Sequence, residues 1–294
     1  MEVEMRIIAA FDHHSYSERI IADLADIAAN TWADITILGV QQADGGGGPD
    51  DYFAGTFRHY REEFLRRVSG GELPYGGVTG YEEYHSLGKG RWEINNQGWE
   101  GDVRKKLLVR IRTGDPMKEI LAESREQKSD LIILGCTKGL DCQWQGEVDL
   151  PRKIAAKAGC SVLVIKEMKR PDTIICFLDQ EHVSQASLEM INQVVTLHQA
   201  ELKIVGITEG ESSAGEEGIK NRIAAILKYY SERRISAWIK LIWPKDMEQY
   251  VAQASREGMI ALWMGRKSLL AKIFSRDLVG KLVSNSHSSV LILR

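Results

Sequence analysis

Ala33-Asp34-Ile35-Thr36-Ile37-Leu38-Gly39-Val40 returns 167 positions later as Ala200-Glu201-Leu202-Lys203-Ile204-Val205-Gly206-Ile207. Acid falls on acid, glycine on glycine and apolar on apolar. The same shift lays Asp12 on Asp179, and Met117 precedes Gly135 by the 18 positions that separate Met247 from Gly265. A repeat of this length signifies two copies of one domain rather than a solenoid of small units. The expected boundaries are 1–168 and 169–294, joined by the charged, proline-containing stretch Lys166–Asp172.

Each half is long enough to bury its own core without staples. Apolar and charged fractions of 44% and 27% are those of an ordinary globular protein, and a net charge of −3 gives no bias toward nucleic acid or anionic lipid. No apolar run reaches the length of a membrane span, and Met1-Glu2-Val3-Glu4 has the wrong charge for a secretory signal, so the cytoplasm is the expected location. The four cysteines (Cys136, Cys142, Cys160, Cys176) form no CxxC pair and lie at no metal-ligand spacing from histidine. They read as free thiols, with Cys160 and Cys176 as small buried hydrophobes beside strands.

Outward from the repeat, short apolar runs alternate with helical periodicity. Ile7–Phe11, Ile35–Val40, Leu107–Ile111, Leu131–Leu134 and Val162–Ile165 read as strands of the first half. Ile174–Leu178, Leu202–Ile207, Trp238–Ile242, Ile260–Met264 and Val290–Leu293 read as those of the second. Near-continuous apolar runs suit strands covered on both faces, hence parallel sheets with helices above and below. The stripes Ile20, Leu24, Ile27, Ala28 and Ile219, Ile223, Ile226, Leu227, Tyr230 have the helical period. Asp115-Pro116 reads as an N-cap followed by proline at the first helical position. The fold class is therefore α/β, with two tandem doubly wound parallel-sheet domains. Such folds bind ligands at the carboxyl ends of their strands.

From Val40 to Met117 is 77 positions, against 40 from Ile207 to Met247, so the first half carries an insertion, expected within Gly70–Lys106 after a helix near Tyr52–Val68. Its glycines and aromatics (Tyr75, Tyr81, Tyr84, Trp92, Trp99) suggest an excursion with a hairpin around Leu87–Trp99. It is either a packing flap or a contact loop for a ligand or partner. Gly45–Gly48 lack the Lys-Ser/Thr of a P-loop and read as a turn. His13 and His14 have no visible acid–base partner, and Arg58, Arg61, Arg66 and Arg67 are interrupted by Glu62 and Glu63; both groups read as solvated surface.

Three segments resemble the universal stress protein family. They are Ile7-Ile8-Ala9-Ala10-Phe11-Asp12, then Thr113-Gly114-Asp115-Pro116-Met117 with the helix it opens, and Ser129-Asp130-Leu131-Ile132-Ile133-Leu134-Gly135 followed by Gly159-Cys160-Ser161-Val162-Leu163-Val164-Ile165. The second half matches more weakly, through Asp179, Gly265-Arg266-Lys267-Ser268 and Ser289-Val290-Leu291-Ile292. The resemblance implies strand order 3-2-1-4-5 in each half, with the last strands Ser161–Ile165 and Ser289–Leu293 antiparallel in a pseudo-dimer. It leaves a further homodimer open.

The resemblance also implies candidate nucleotide-binding positions. Nucleotide-binding members carry Gly-x2-Gly-x9-Gly-Ser/Thr after the fourth strand, where bare backbone approaches phosphate. Here the first half reads Gly135, Lys138 (with Gly139 one place late) and then Val148-Asp149. The second reads Gly265, Ser268 and then Arg276-Asp277, with a shorter spacer. Asp149 and Asp277 thus stand where a hydroxyl is expected to face phosphate. Two unit charges about 5 Å apart at an effective dielectric of about 20 repel by roughly 3 kcal/mol, which weakens binding by about two orders of magnitude. Asp12 and Asp179 match the position near adenosine or serve as strand-end turn residues. Val40 and Ile207 match the strand end whose backbone meets adenine.

No nucleophile elbow and no adenylating Ser-Gly-Gly-x-Asp-Ser loop occurs, so no catalytic or metal-binding residue is assigned. The expectation is a stress-response regulator that binds a small ligand or a protein partner without robust catalysis. ATP, ADP or AMP would bind weakly if at all, and Mg2+ only alongside nucleotide. Two alternatives stay open: a genuine ATP-binding or slowly hydrolysing module, and an interaction scaffold using the insertion.

Overall fold

The computed structural model describes residues 5–13, 16–42, 48–68, 74–77, 83–94, 104–136, 143–144, 147–166, 171–179, 183–208, 213–265 and 268–294. In chain order the elements are β1 (Met5–Phe11), α1 (Tyr16–Asn30), β2 (Ala33–Gln41), α2 (Asp51–Val68), β3 (His85–Ser86), β4 (Arg91–Ile94), β5 (Leu107–Thr113), α3 (Pro116–Gln127), β6 (Leu131–Cys136), β7 (Gln143–Trp144), β8 (Glu147–Val148), α4 (Leu150–Lys157) and β9 (Ser161–Lys166). They continue as β10 (Thr173–Phe177), α5 (Gln185–His198), β11 (Glu201–Ile207), α6 (Ser213–Glu232), β12 (Ala237–Ile242), α7 (Met247–Glu257), β13 (Met259–Trp263), α8 (Leu269–Ile273), α9 (Arg276–Asn285) and β14 (Val290–Leu293).

Among the described residues, twelve strands form one sheet in the order β12-β11-β10-β13-β14-β9-β6-β1-β2-β5-β4-β3. On either side of the β14–β9 junction the order 3-2-1-4-5 appears, once in each direction. Neighbours within each five-strand block are parallel, and all of these strands but the edge strand β12 are largely buried on both faces, as parallel sheets are. The junction itself is antiparallel, with Val290 opposite Val164 and Ile292 opposite Val162, as the resemblance implies. Strand residues alternate between two cores: Ile7, Ala9 and Phe11 face α1, α2, α5 and α6, whereas Ile8 and Ala10 face α3, α4, α7, α8 and α9. No described helix is long and apolar enough to cross a membrane.

Local chemistry explains the element ends. Asp115 Oδ1 accepts the Lys118 N–H at 2.8 Å with Pro116 following, which starts α3; Lys128 closes it in the left-handed region, φ 52°. Gly39 lets α2 lie against β2, since a Cβ there would come within 2.6 Å of the Phe57 ring.

The junction is tied by matching contacts from each side. Lys166, directly after Ile165, sends its ammonium to Ser286 O at 2.6 Å and Ser284 O at 3.3 Å, at the end of α9. Arg294, directly after Leu293, sends its guanidinium to Ala155 O at 2.6 Å and Cys160 O at 3.4 Å, at the end of α4. The backbone N–H of Lys166 donates to Ser289 Oγ, and that of Arg294 to Ser161 Oγ, both at 3.2 Å. Each cation thus meets the carbonyl end of the opposite half's last helix, where the dipole favours positive charge.

Three expectations need correction. Lys166 is not linker: its aliphatic stem and ammonium are buried in β9, and only 171–172 of the remaining stretch lie among the described residues. The hairpin sits earlier than expected, with β3 at His85–Ser86 and β4 at Arg91–Ile94, because Gly88 and Gly90 take the positive φ that its turn needs. Trp99 and Tyr81 lie outside the described residues. Cys136 is disulfide-bonded rather than a free thiol, whereas Cys160 and Cys176 are free.

Within the insertion, β4 pairs antiparallel with β5 and so extends the sheet. Tyr75 is buried with its hydroxyl on Ala33 O at 2.7 Å; Tyr84 donates to Ala54 O at 3.2 Å. These aromatics pack the excursion onto the first half's own core.

Candidate functional site

Strand order reverses between β1 and β6 and again between β10 and β13, so two crevices open at the carboxyl ends of those strands. In the first, Asp12 follows β1 and is fully buried. Ser17 Oγ donates to its Oδ1 at 3.1 Å, and the Tyr60 hydroxyl donates to its backbone oxygen at 3.0 Å. Burial pushes the Tyr60 phenol up to about 12, so it remains a donor at neutral pH. Asp12 therefore anchors the start of α1 and the flank of α2 from within the protein.

Val40 and Gly135 are buried inside β2 and β6, paired with Arg112 and Ile165. Trp144 is completely buried in the apolar cluster that holds Val40, Cys136 and Leu150, and its indole N–H has no hydrogen-bond partner among the described residues. Lys138 and Gly139 lie outside the described residues. Asp149 directly precedes α4. It adopts the left-handed region (φ 67°) ahead of α4 and turns its carboxylate toward α9, 3.3 Å from Arg152 Nη1 and 3.5 Å from Ser284 Oγ. A short polar side chain tolerates that backbone, and the position has become part of the junction.

In the second crevice, Asp179 is likewise fully buried, and its Oδ2 accepts the Leu269 N–H at 2.9 Å. Ser268 is buried as the N-cap of α8, its Oγ on Leu270 N at 3.1 Å. The Leu269 backbone N–H at the start of α8 is thus held by the chain's own Asp179 carboxylate. Trp263 folds over Gly265, where a Cβ would come within 2.4 Å of the indole, and its Nε1 donates to Ser187 Oγ at 2.7 Å. Ile207 is buried at the end of β11, and Asp277 is exposed in the first turn of α9.

The structure accordingly brings Asp12, Val40 and Gly135 to one edge, and Asp179, Ile207, Gly265 and Ser268 to the other, while Asp149 and Asp277 belong to the junction helices' starts. Sequence reasoning missed Tyr60, Trp144 and Trp263, the groups that fill or brace the mouths. Trp263 sits inside an apolar strand run, so nothing in its spacing separates it from an ordinary core residue. Also missed is a buried ion cluster on the insertion side. Arg112 bonds Glu119 at 2.7 Å and also Glu123; Arg110 bonds Glu93 at 2.7 Å and Glu123 at 2.5 Å. Burial alone would lower the Arg112 pKa, but its bonds to Glu126, Glu123 and Glu119 outweigh that and raise it.

A cleft of about 830 Å³ crosses the junction, lined by Trp32, Asp130, Cys160, Ser184, Ser187 and Arg294 among others, and by none of the expected nucleotide-binding positions. Burial pushes the Cys160 thiol up, although Ser124 Oγ, 3.3 Å away, works against this, so it is a poor nucleophile. Among the described residues no group of three His, Cys, Asp or Glu is placed to hold a metal ion.

Compared by sequence, the chain matches no family model and no curated protein. By structure it is similar to a universal stress protein from Archaeoglobus fulgidus DSM 4304, with TM-score 0.56 and 13% identity over 98% of this chain and 96% of that one. A protein of unknown function from Pseudomonas aeruginosa PAO1 gives TM-score 0.56 and 13% identity over 99% and 92%. The cytoplasmic domain of a prokaryotic cation chloride cotransporter gives TM-score 0.51 and 10% identity over 99% and 95%. The chain shares the universal stress protein fold along nearly its whole length. A cotransporter domain shares it too, so fold alone assigns no ligand.

Proposed function

We propose that this chain is a tandem universal stress protein, with domains 1–168 and 169–294 joined as a pseudo-dimer, that regulates by binding rather than by turnover. The observation that carries this reading is the Asp179 carboxylate on Leu269 N. An internal anion holds the donor that a phosphate would need, and a second anion brought there meets like charge in a dry environment. The buried, internally bonded Asp12 and the buried Trp144 support the same reading for the first half. The junction cleft offers room for a small ligand. The cytoplasm remains the location we infer.

Isothermal titration with ATP, ADP and AMP, with and without Mg2+, tests the proposal. The expected result is no saturable heat in the micromolar range for any of them. Micromolar ATP binding would favour a true nucleotide-binding module instead.

A further inference from the structure

The two ends of the sheet are finished differently. At one end the insertion adds β4 and then the two-residue β3, a short terminal strand of the kind that discourages further pairing. At the other end β12 is six residues long and has no neighbour beyond it among the described residues. Register equates the two positions: β5 pairs with β2 as β12 pairs with β11, which sets Val109, Arg110 and Ile111 against Ile239, Lys240 and Leu241. In the first half this edge takes an antiparallel strand, with Ile94 opposite Val109 and Trp92 opposite Ile111. In the second half the same edge has no such strand among the described residues and carries exposed apolar groups: Trp238 is 45% exposed, Leu241 38% and Trp243 43%.

The backbone shows which groups are on offer. Thr208 N–H donates to Ile242 O at 3.0 Å, so Ile242, Lys240 and Trp238 turn their amide groups inward to β11. Alternation then turns those of Ala237, Ile239 and Leu241 outward. We propose that a second copy of this chain pairs on that edge, β12 against β12 antiparallel about a two-fold axis at Ile239. In this register Ile239 exchanges both hydrogen bonds with its counterpart, and Ala237 lies opposite Leu241. Trp238 lies opposite Lys240, on the sheet face where Lys240 already sits 4.6 Å from the Tyr250 ring centre and Lys203 5.8 Å from that of Trp238. Each indole then receives a cation from the other chain. Moving the axis to Lys240 would set the two ammonium groups directly opposite each other, which disfavours that alternative. The dimer joins the two twelve-stranded sheets into one.

Sedimentation equilibrium on the full chain tests this, with Ile239→Pro as the variant that loses the outward N–H and no bond to β11. The wild type is expected to dimerise and Ile239→Pro to dissociate with a constant raised roughly tenfold or more, since both bonds of the central pair are lost. Cysteine placement tests the register independently of that variant's folding. Ile239→Cys should form a disulfide-linked dimer under mild oxidation, because residues of a hydrogen-bonded antiparallel pair lie about 5.5 Å apart, within disulfide reach. Lys240→Cys, whose opposite number is Trp238, should not. A wild type that stays monomeric at its highest soluble concentration overturns the proposal, as does a dimer in which Ile239→Cys fails to cross-link.

Discussion

Replacing Lys166 by methionine tests whether a buried cation spans the junction. The Lys166 side chain is 3% exposed, and burial lowers its pKa from 10.5 to about 8. Below pH 8 both folded and unfolded chains carry the proton, so the cost of burying the charge is fully present. Between about 8 and 10.5 the unfolded chain keeps a proton that the folded chain has released, and stability attributable to this residue rises with pH. At about 1.36 kcal/mol per pH unit, the gain from about pH 8 to about pH 9.5 is on the order of 2 kcal/mol. The Ser284 and Ser286 carbonyls favour the charged form, so this figure is a ceiling. Cys160 and Cys176 act oppositely: burial raises both thiols above 9.0, and stability from them falls as pH climbs through the unfolded value. They are common to both proteins and cancel in the difference. Urea unfolding followed by circular dichroism, on the wild type and Lys166→Met, should therefore show the wild type gaining on the variant across this window. A difference that stays flat would refute a buried, proton-releasing Lys166 and with it the described junction.

Asp179→Asn should cost roughly 1–3 kcal/mol, because a neutral acceptor replaces a charge-assisted bond to Leu269 N; denaturant midpoints measure this, and an unchanged midpoint would contradict the role given to Asp179. Gly258→Ala places a Cβ within 2.4 Å of the Thr173 backbone oxygen, so a shift of the β10 start and a loss of about 1–3 kcal/mol in thermal or urea stability are expected. Arg112→Ala leaves the buried Glu123 to Arg110 and Gln127, at an expected cost of about 1–3 kcal/mol. The paired change Arg112→Met with Glu123→Met should recover much of that in the same assay.

Most of the parallel strands were legible because their sequences are apolar on both faces, and the repeat beginning at Ala33 marked out the matching blocks of strands. The Asp115-Pro116 cap was legible because its chemistry is local. The fate of the crevices was not. Asp12 and Asp179 have the same appearance whether they greet a ligand or hold a neighbouring N–H, and only the course of α8 past Asp179 distinguishes these. The exposed-looking Lys166 was misread because its charge resembles the stretch after it, while its burial depends on Ser284 and Ser286 more than a hundred positions away. Arg110 and Arg112 likewise find their acids on α3 and on the inserted β4, a pairing that no short-range pattern encodes.

The most direct test of the occupied-crevice claim is the electron density of a crystal soaked in ATP and Mg2+. The expected map shows Asp179 still bonded to Leu269 N and Trp263 still lying over Gly265, with no triphosphate at either strand edge. Phosphate oxygens seated on Leu269 N, with the Asp179 carboxylate swung aside, would contradict it.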